Sequence, residues 1–232
     1  MPFEQSDAVL VLWDIDHTLI ETRGVGRAAY AAAFEQVTGH RLEQMPHITG
    51  RTEPDIYAAT AKLHNIDPPS FSIFAEALSA AYLARQDELF HRGRTLPGAE
   101  EALSLIAGTP TIRQSVLTGN TRAVARTKLE VFGLDAYLDL EVGAYGDDDG
   151  NRPALVPIAQ SRATKSYGAA FDHHNTVLIG DSPADVETAR KGGARVIAVA
   201  AGGTPASALA DADVVLDDLT DTDALTKAIR AQ

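Results

Sequence analysis

The chain contains no cysteine, which excludes disulfides, thiolate metal sites and a thiolate nucleophile together. Long apolar runs are missing as well: no stretch offers the ~18 uninterrupted apolar residues that a membrane-spanning helix needs. Positive charge is scarce, with 20 lysines and arginines against 32 aspartates and glutamates, for a formal net charge of −12. A surface of that sign repels polyphosphate backbones and argues against a general nucleic-acid binder. It still admits a small phosphorylated ligand wherever a local cation or a metal ion receives it. The opening stretch MPFEQSDAVL lacks the basic region and apolar run of a signal peptide. These absences point to a soluble, cytoplasmic protein. The rest of the composition is ordinary: 232 residues, 45% hydrophobic and 22% charged, enough for one large domain or a domain with an inserted subdomain.

Short apolar runs at Ala8–Trp13, around Ser115–Leu117, and at Thr176–Ile179, Arg195–Ala200 and Val214–Leu216 are rich in Val, Ile and Leu without alternation. That is the pattern of strands covered on both faces. Helical stretches lie between them: one from Pro97-Gly98 through Ile106, one from Thr121 through Phe132, and one opened by Pro183 and closed at Lys191-Gly192-Gly193. Strand alternating with helix predicts a three-layer, Rossmann-like α/β domain with a parallel sheet. The region from Glu21 to Arg94 differs. It shows no convincing strand but three helical patterns, Val25–Thr38, Glu53–His64 and Ser70–His91, separated by prolines, and reads as a helical subdomain inserted after the first strand.

In open α/β sheets, ligands bind beyond the carboxyl ends of the strands. The first strand runs into Asp14-Ile15-Asp16-His17-Thr18-Leu19 and a later one into Gly180-Asp181-Ser182-Pro183-Ala184-Asp185. A third ends in Leu117-Thr118-Gly119-Asn120. A single aspartate after a strand is often a turn former or a helix cap. Four carboxylates converging on one crevice repel each other unless a cation intervenes. A hard divalent ion with oxygen ligands suits them, and Mg²⁺ suits a site that combines few carboxylates with water and a phosphate.

These three segments, in their order along the chain, resemble motifs I, II and IV of the haloacid dehalogenase superfamily of phosphohydrolases, within it the phosphoglycolate-phosphatase-like members. The resemblance spans nearly the whole chain. It implies a core formed by residues 1–20 and 95–232 and a helical cap formed by residues 21–94. It further implies Asp14 as the nucleophile that forms an aspartyl-phosphate, and Asp16 as the general acid and base. Asp14, the backbone carbonyl of Asp16, and Asp181 would hold Mg²⁺, with Asp185 either in the metal shell or orienting the basic residue. Thr118 and the amides of Gly119 and Asn120 would bind the phosphoryl group.

The chain departs from the family pattern at two places. His17 stands where the family usually has glycine. Arg152, in Gly150-Asn151-Arg152-Pro153, stands where it usually has lysine; neutralising phosphate and Asp14 needs charge rather than proton transfer, so a guanidinium can serve. Lys165 is the rival for that role. Asp16 argues against the dehalogenase and phosphonate-cleaving members, which lack it, and Lys62 is the one lysine between residues 21 and 94. Arg51, in a loop that opens a helix, is a candidate substrate ligand, with Arg23 a weaker one. Asp147-Asp148-Asp149-Gly150 has its acids consecutive, unlike an EF-hand, and reads as a turn leading to Arg152. The expected activity is hydrolysis of a small phosphorylated metabolite. A phosphomutase, or a catalytically silent binding or regulatory protein of the same fold, stays open as an alternative.

Overall fold

The computed structural model describes residues 8–231; the expectation about the opening stretch falls mostly on residues 1–7, outside the described residues. Five strands, β1 (Val9–Trp13), β4 (Ile112–Val116), β5 (Thr176–Gly180), β6 (Arg195–Val199) and β7 (Val214–Leu216), form one sheet in the order β4-β1-β5-β6-β7. Every pairing in it is parallel. β1 pairs on both sides, with β4 and β5, so no edge of it meets solvent.

Successive side chains of a strand point to opposite faces, and the apolar runs divide accordingly. Val11, Trp13, Val177 and Ile179 pack on one face against Leu103 of α5 (Ala99–Ala107) and Leu225 and Ile229 of α9 (Thr222–Arg230). Leu10, Leu12, Leu178 and Val196 pack on the other against Leu155 and Val156 of α7 (Leu155–Tyr167) and Val186 of α8 (Pro183–Gly192). Helix, sheet and helix give the three layers read from the sequence. Between Asn120 and Arg152 the described chain adds only a single bridge to the sheet, Leu117 to Ala144; Gly143 and Gly146 lie beside that bridge, and glycine weakens a strand. No helix among the described residues is long and apolar enough to cross a membrane.

The insertion builds most of a third apolar cluster, which Val124 of the later helix Arg122–Val131 joins. Helices α1 (Val25–Thr38), α2 (Glu53–Leu63), α3 (Phe71–Leu83) and α4 (Gln86–Arg92) lie between two short antiparallel strands, β2 (Ile20–Glu21) and β3 (Arg94–Thr95). Those strands were too short to leave a pattern in the sequence. They are fastened by Arg94 Nε donating to Glu21 Oε2 at 2.9 Å. The pattern read as one helix over Ser70–His91 is broken at Ala84-Arg85. There Arg85 donates its guanidinium to the Ala81 carbonyl at 3.0 Å, and Asp87 and Glu88 open a new helix at the end where negative charge is favourable. Tyr57 and Phe74 stack with ring centroids 4.2 Å apart, and Tyr30 meets Phe74 edge-on at 5.0 Å.

Phe74 is fully buried among these rings whereas Phe90 is 62% exposed. Phe74→Ala should therefore cost about 3–5 kcal/mol and Phe90→Ala no more than about 0.5 kcal/mol, measured by denaturant unfolding. Equal losses would contradict the packing described.

Candidate active site

Parallel pairing places the ends of β1, β4 and β5 side by side. The Asp14 amide still donates to the Ile179 carbonyl at 2.8 Å, so Asp14 continues the ladder as its last residue. The chain then turns tightly: Leu19 and Ile20 both donate to the Ile15 carbonyl, and the His17 amide donates to that of Ile20. His17 takes a left-handed backbone, φ 65°. Glycine adopts that conformation at no steric cost, and histidine is among the residues that tolerate it. The turn thus accounts for the family's usual glycine at this position.

Asp14, Asp181 and Asp185 are all buried, and one carboxylate oxygen from each lies within 4.8 Å of the others. Arg152, itself buried, reaches in from the chain just before α7. Its Nη2 donates to Asp14 Oδ1 and to Asp185 Oδ1, each at 2.6 Å. Asp185 Oδ2 accepts from the Ser182 amide at 3.0 Å and hydroxyl at 2.6 Å, closing a reciprocal cap on α8. Both Asp185 oxygens are thereby engaged. Burial and then Asp185 push the Asp14 carboxyl well above the usual range against the pull of Arg152. The same two causes lift Asp181 to about 7. The cluster is short of positive charge, and its hard oxygen donors fit a divalent cation.

A second cluster surrounds Asp16. Lys128 Nζ donates to both Asp16 oxygens at 2.8 and 2.7 Å, and to Asn120 Oδ1 at 2.8 Å. Asn120 Nδ2 donates to Asp16 Oδ2 at 2.8 Å and to Thr118 Oγ1 at 2.7 Å. Burial alone would raise the Asp16 carboxyl, but Lys128 and Asn120 outweigh it and hold it below its ordinary value. The Lys128 ammonium sits 5.3 Å from the centre of the Tyr82 ring. Glu53, at the start of α2, lines the same cavity; burial raises its carboxyl to about 7, Lys128 opposing and Asp16 assisting. Asp14, Asp16, Thr118, Gly119, Asn120, Arg152, Asp181 and Asp185 thus share a cavity of about 490 Å³ with residues of the insertion.

The insertion closes directly onto this floor. The Glu53 amide donates to the Gly119 carbonyl at 2.8 Å. A Cβ on Gly119 would lie 2.0 Å from the Arg51 carbonyl oxygen, so this contact requires glycine. Thr52, at the start of α2, donates its hydroxyl to the Gly150 carbonyl at 2.9 Å rather than capping the helix. Arg51 lines the cavity with its guanidinium held by Asp55 Oδ2 at 2.5 Å and by the His47 carbonyl at 3.2 Å. Lys165 and Lys62 are exposed on helices, and Arg23 pairs with Glu21 at 3.6 Å; none of the three lines the cavity. The acidic run before Arg152 organises its own loop, Asp148 pairing with Arg162 at 2.6 Å and Asp147 accepting from the Arg122 amide at 3.0 Å.

Sequence reasoning missed two of these residues. Lys128 shares the buried face of α6 (Arg122–Val131) with Val124, Ala125 and Leu129, and a lysine at that spacing was the available signal. Glu53 was masked because an acid in the first turn of a helix has an ordinary role there.

Because burial raises the Glu53 carboxyl from 4.5 to about 7, its contribution to stability is intact at low pH and is lost as pH rises through about 7. The loss amounts to about 3 kcal/mol at most. Glu53→Gln cannot ionise, so its melting temperature relative to the unsubstituted protein should rise between pH 5 and pH 8. A difference that stays constant over that interval would contradict the assigned environment.

Comparison with known proteins agrees with this geometry. Residues 11–199 match the family model described as haloacid dehalogenase-like hydrolase. Validoxylamine A 7'-phosphate phosphatase of Streptomyces hygroscopicus subsp. limoneus is 28% identical over 216 residues, 91% of this chain and 94% of that protein. The structure of CbbY from Rhodobacter sphaeroides in complex with phosphate superposes with a TM-score of 0.71 at 20% identity, covering 92% of this chain and 96% of that one. A hydrolase from Pseudomonas syringae superposes with a TM-score of 0.68 at 21% identity, covering 96% and 100% of the two chains. The motifs, the sheet that carries them and the family match together place this chain in the haloacid dehalogenase-like hydrolase family.

Proposed function

We propose that the protein is a Mg²⁺-dependent phosphomonoester hydrolase that acts on a small phosphorylated metabolite through an aspartyl-phosphate at Asp14. The observation that carries this reading is Arg152 Nη2 lying 2.6 Å from both Asp14 and Asp185 at the floor of the cavity. That arrangement presents one carboxylate oxygen beside a fixed positive charge, which is what attack on a phosphoryl group requires.

In the first step an Asp14 oxygen bonds to phosphorus, the ester P–O bond breaks, and the electron pair leaves with the alcohol oxygen. Asp16 supplies the proton to that oxygen. In the second step water attacks phosphorus, Asp16 takes its proton, and the bond from phosphorus to Asp14 breaks to release phosphate. Lys128 holds Asp16 charged in the resting site, so Asp16 first takes up the proton that a phosphoester monoanion carries in, giving up a Lys128 contact, and then passes it to the alcohol oxygen. Arg152 and the Thr118 hydroxyl, with the amides of Gly119 and Asn120, are the donors for the phosphoryl oxygens. The Asp14 and Asp181 carboxylates and the Asp16 carbonyl would hold Mg²⁺, which when bound offsets the negative charge shared by carboxylate and phosphate. The helical insertion, residues 21–94, is the cap that excludes water and bears specificity.

The relatives support the substrate class. One is named for a phosphorylated natural product, and CbbY has been crystallised with xylulose-1,5-bisphosphate. Phosphate release from a metabolite panel tests the reading. Mg²⁺ should sustain release and EDTA abolish it. Asp14→Asn should be inactive, Arg152→Ala should lose about 100-fold or more, and Lys165→Ala should be near normal. Release that survives Asp14→Asn would reject the mechanism, and loss at Lys165 rather than Arg152 would reject the assignment of the cation. Transfer of the phosphoryl group to a second sugar phosphate instead of water would make the protein a phosphomutase.

A further inference from the structure

We propose that Lys128 is a positioning residue for the phosphoryl site. By holding the Asn120 side-chain oxygen it turns the amide NH2 onto Thr118, which leaves the Thr118 hydroxyl with its hydrogen to give to the phosphoryl group. The proposal deepens the phosphatase reading and rests on it.

Lys128 is only 3% exposed. Each of its three ammonium hydrogens has a partner: the two Asp16 oxygens and Asn120 Oδ1. Burial works against the charge, but Asp16, with Tyr82 and Glu53, outweighs it and raises the ammonium above the ordinary lysine value. With no donor left over, Lys128 has nothing to offer a substrate directly. Its effect passes through the groups it holds.

The Asn120 amide has a direction, and its neighbours fix it. An ammonium can only donate and a carboxylate can only accept. Lys128 therefore takes the amide oxygen, and Asp16 Oδ2 takes the NH2 at 2.8 Å. The same NH2 also donates to Thr118 Oγ1 at 2.7 Å. Turned about, the amide would set NH2 against ammonium and oxygen against carboxylate. Of the two groups that hold it, Asp16 must shift to serve the ester oxygen, whereas Lys128 can stay. Lys128 is the fixed end of the row.

Thr118 is the far end. Its Oγ1 accepts from Asn120 Nδ2 and, at 3.3 Å, from the Asn120 backbone amide. A hydroxyl has two lone pairs and one hydrogen. Both lone pairs are engaged, and among the described residues no hydrogen bond uses the hydrogen. Thr118 and Arg152 line the same cavity, so that hydrogen is available to a phosphoryl oxygen there. A reversed amide would instead present its oxygen to Thr118, capture the hydrogen and remove the donor. The donor-only chemistry of one lysine thereby sets Thr118 to donate.

Orthovanadate, which takes up the trigonal-bipyramidal geometry of phosphoryl transfer, is the probe, with its affinity measured by calorimetry in the presence of Mg²⁺. Lys128→Met and Lys128→Gln remove the same charge, but only the second keeps an N–H donor for Asn120. Lys128→Met should bind vanadate about tenfold more weakly than Lys128→Gln, as expected for loss of one donor to an anion. Adding Thr118→Val to both should shrink that difference to about twofold or less, because no hydroxyl remains to be aimed. Should Lys128→Met fail to fold, Asn120→Ala takes its place. It should weaken binding about tenfold in the otherwise unsubstituted protein and about twofold or less beside Thr118→Val. Equal affinities for Lys128→Met and Lys128→Gln would mean that Lys128 acts by charge alone, and a difference that persists beside Thr118→Val would mean a general structural role. Either result overturns the proposal. A protein that releases phosphate from the ester panel yet binds no vanadate would overturn it too, with the phosphatase reading intact. No vanadate bound and no phosphate released would sink both.

Discussion

A single guanidinium shared by two buried carboxylates is the interaction on which the rest of this structure depends. Arg152 lies between Asp14 and Asp185, and all three are largely withdrawn from water. Removing charges from water costs several kcal/mol per ion. The parallel sheet nonetheless brings Asp14, Asp181 and Asp185 to one end because its strands terminate there together. Without Arg152 the cluster would hold three mutually repelling acids. With it, Asp185 is fixed on the cation from one side and on the α8 N-terminus from the other. Among the described residues the hydrogen bond from Arg152 takes one Asp14 oxygen, Oδ1, and none takes the other.

The site is divided into two electrostatic centres that meet at the turn after β1. One, around Arg152, belongs wholly to the α/β core and suits a phosphoryl group. The other, around Lys128, joins core and insertion, because Asp16 and Lys128 come from the core whereas Glu53 and Tyr82 come from the insertion. The close approach of Arg51 to Gly119 holds these parts in register.

Much of this was legible in the sequence, for physical reasons. Strands buried on both faces must be largely apolar, so β1, β5 and β6 stood out, and so did the aspartates that follow β1 and β5, whereas β4, interrupted by Arg113, Gln114 and Ser115, was legible only at its carboxyl end. Arg152 could be found because a motif fixes its neighbours. The features that were not legible depend on tertiary contact. Two-residue strands have no periodicity, and the break at Ala84-Arg85 comes from a side chain folding back on a carbonyl. Lys128 and Glu53 each have an unremarkable role on an isolated helix, and only the packing of α2 and α6 around Asp16 gives them another. Arg51 was a candidate on sequence grounds, and its guanidinium is occupied by Asp55 and His47.

The central claim is that Asp14 carries the phosphoryl group. It is tested most directly by quenching the enzyme in acid during turnover of a ³²P-labelled ester and mapping the label by peptide digestion. The account predicts an acid-stable, hydroxylamine-sensitive phosphoryl group on the peptide containing Asp14. Label on any other residue, or continuous turnover with no labelled protein at any quench time, would contradict it.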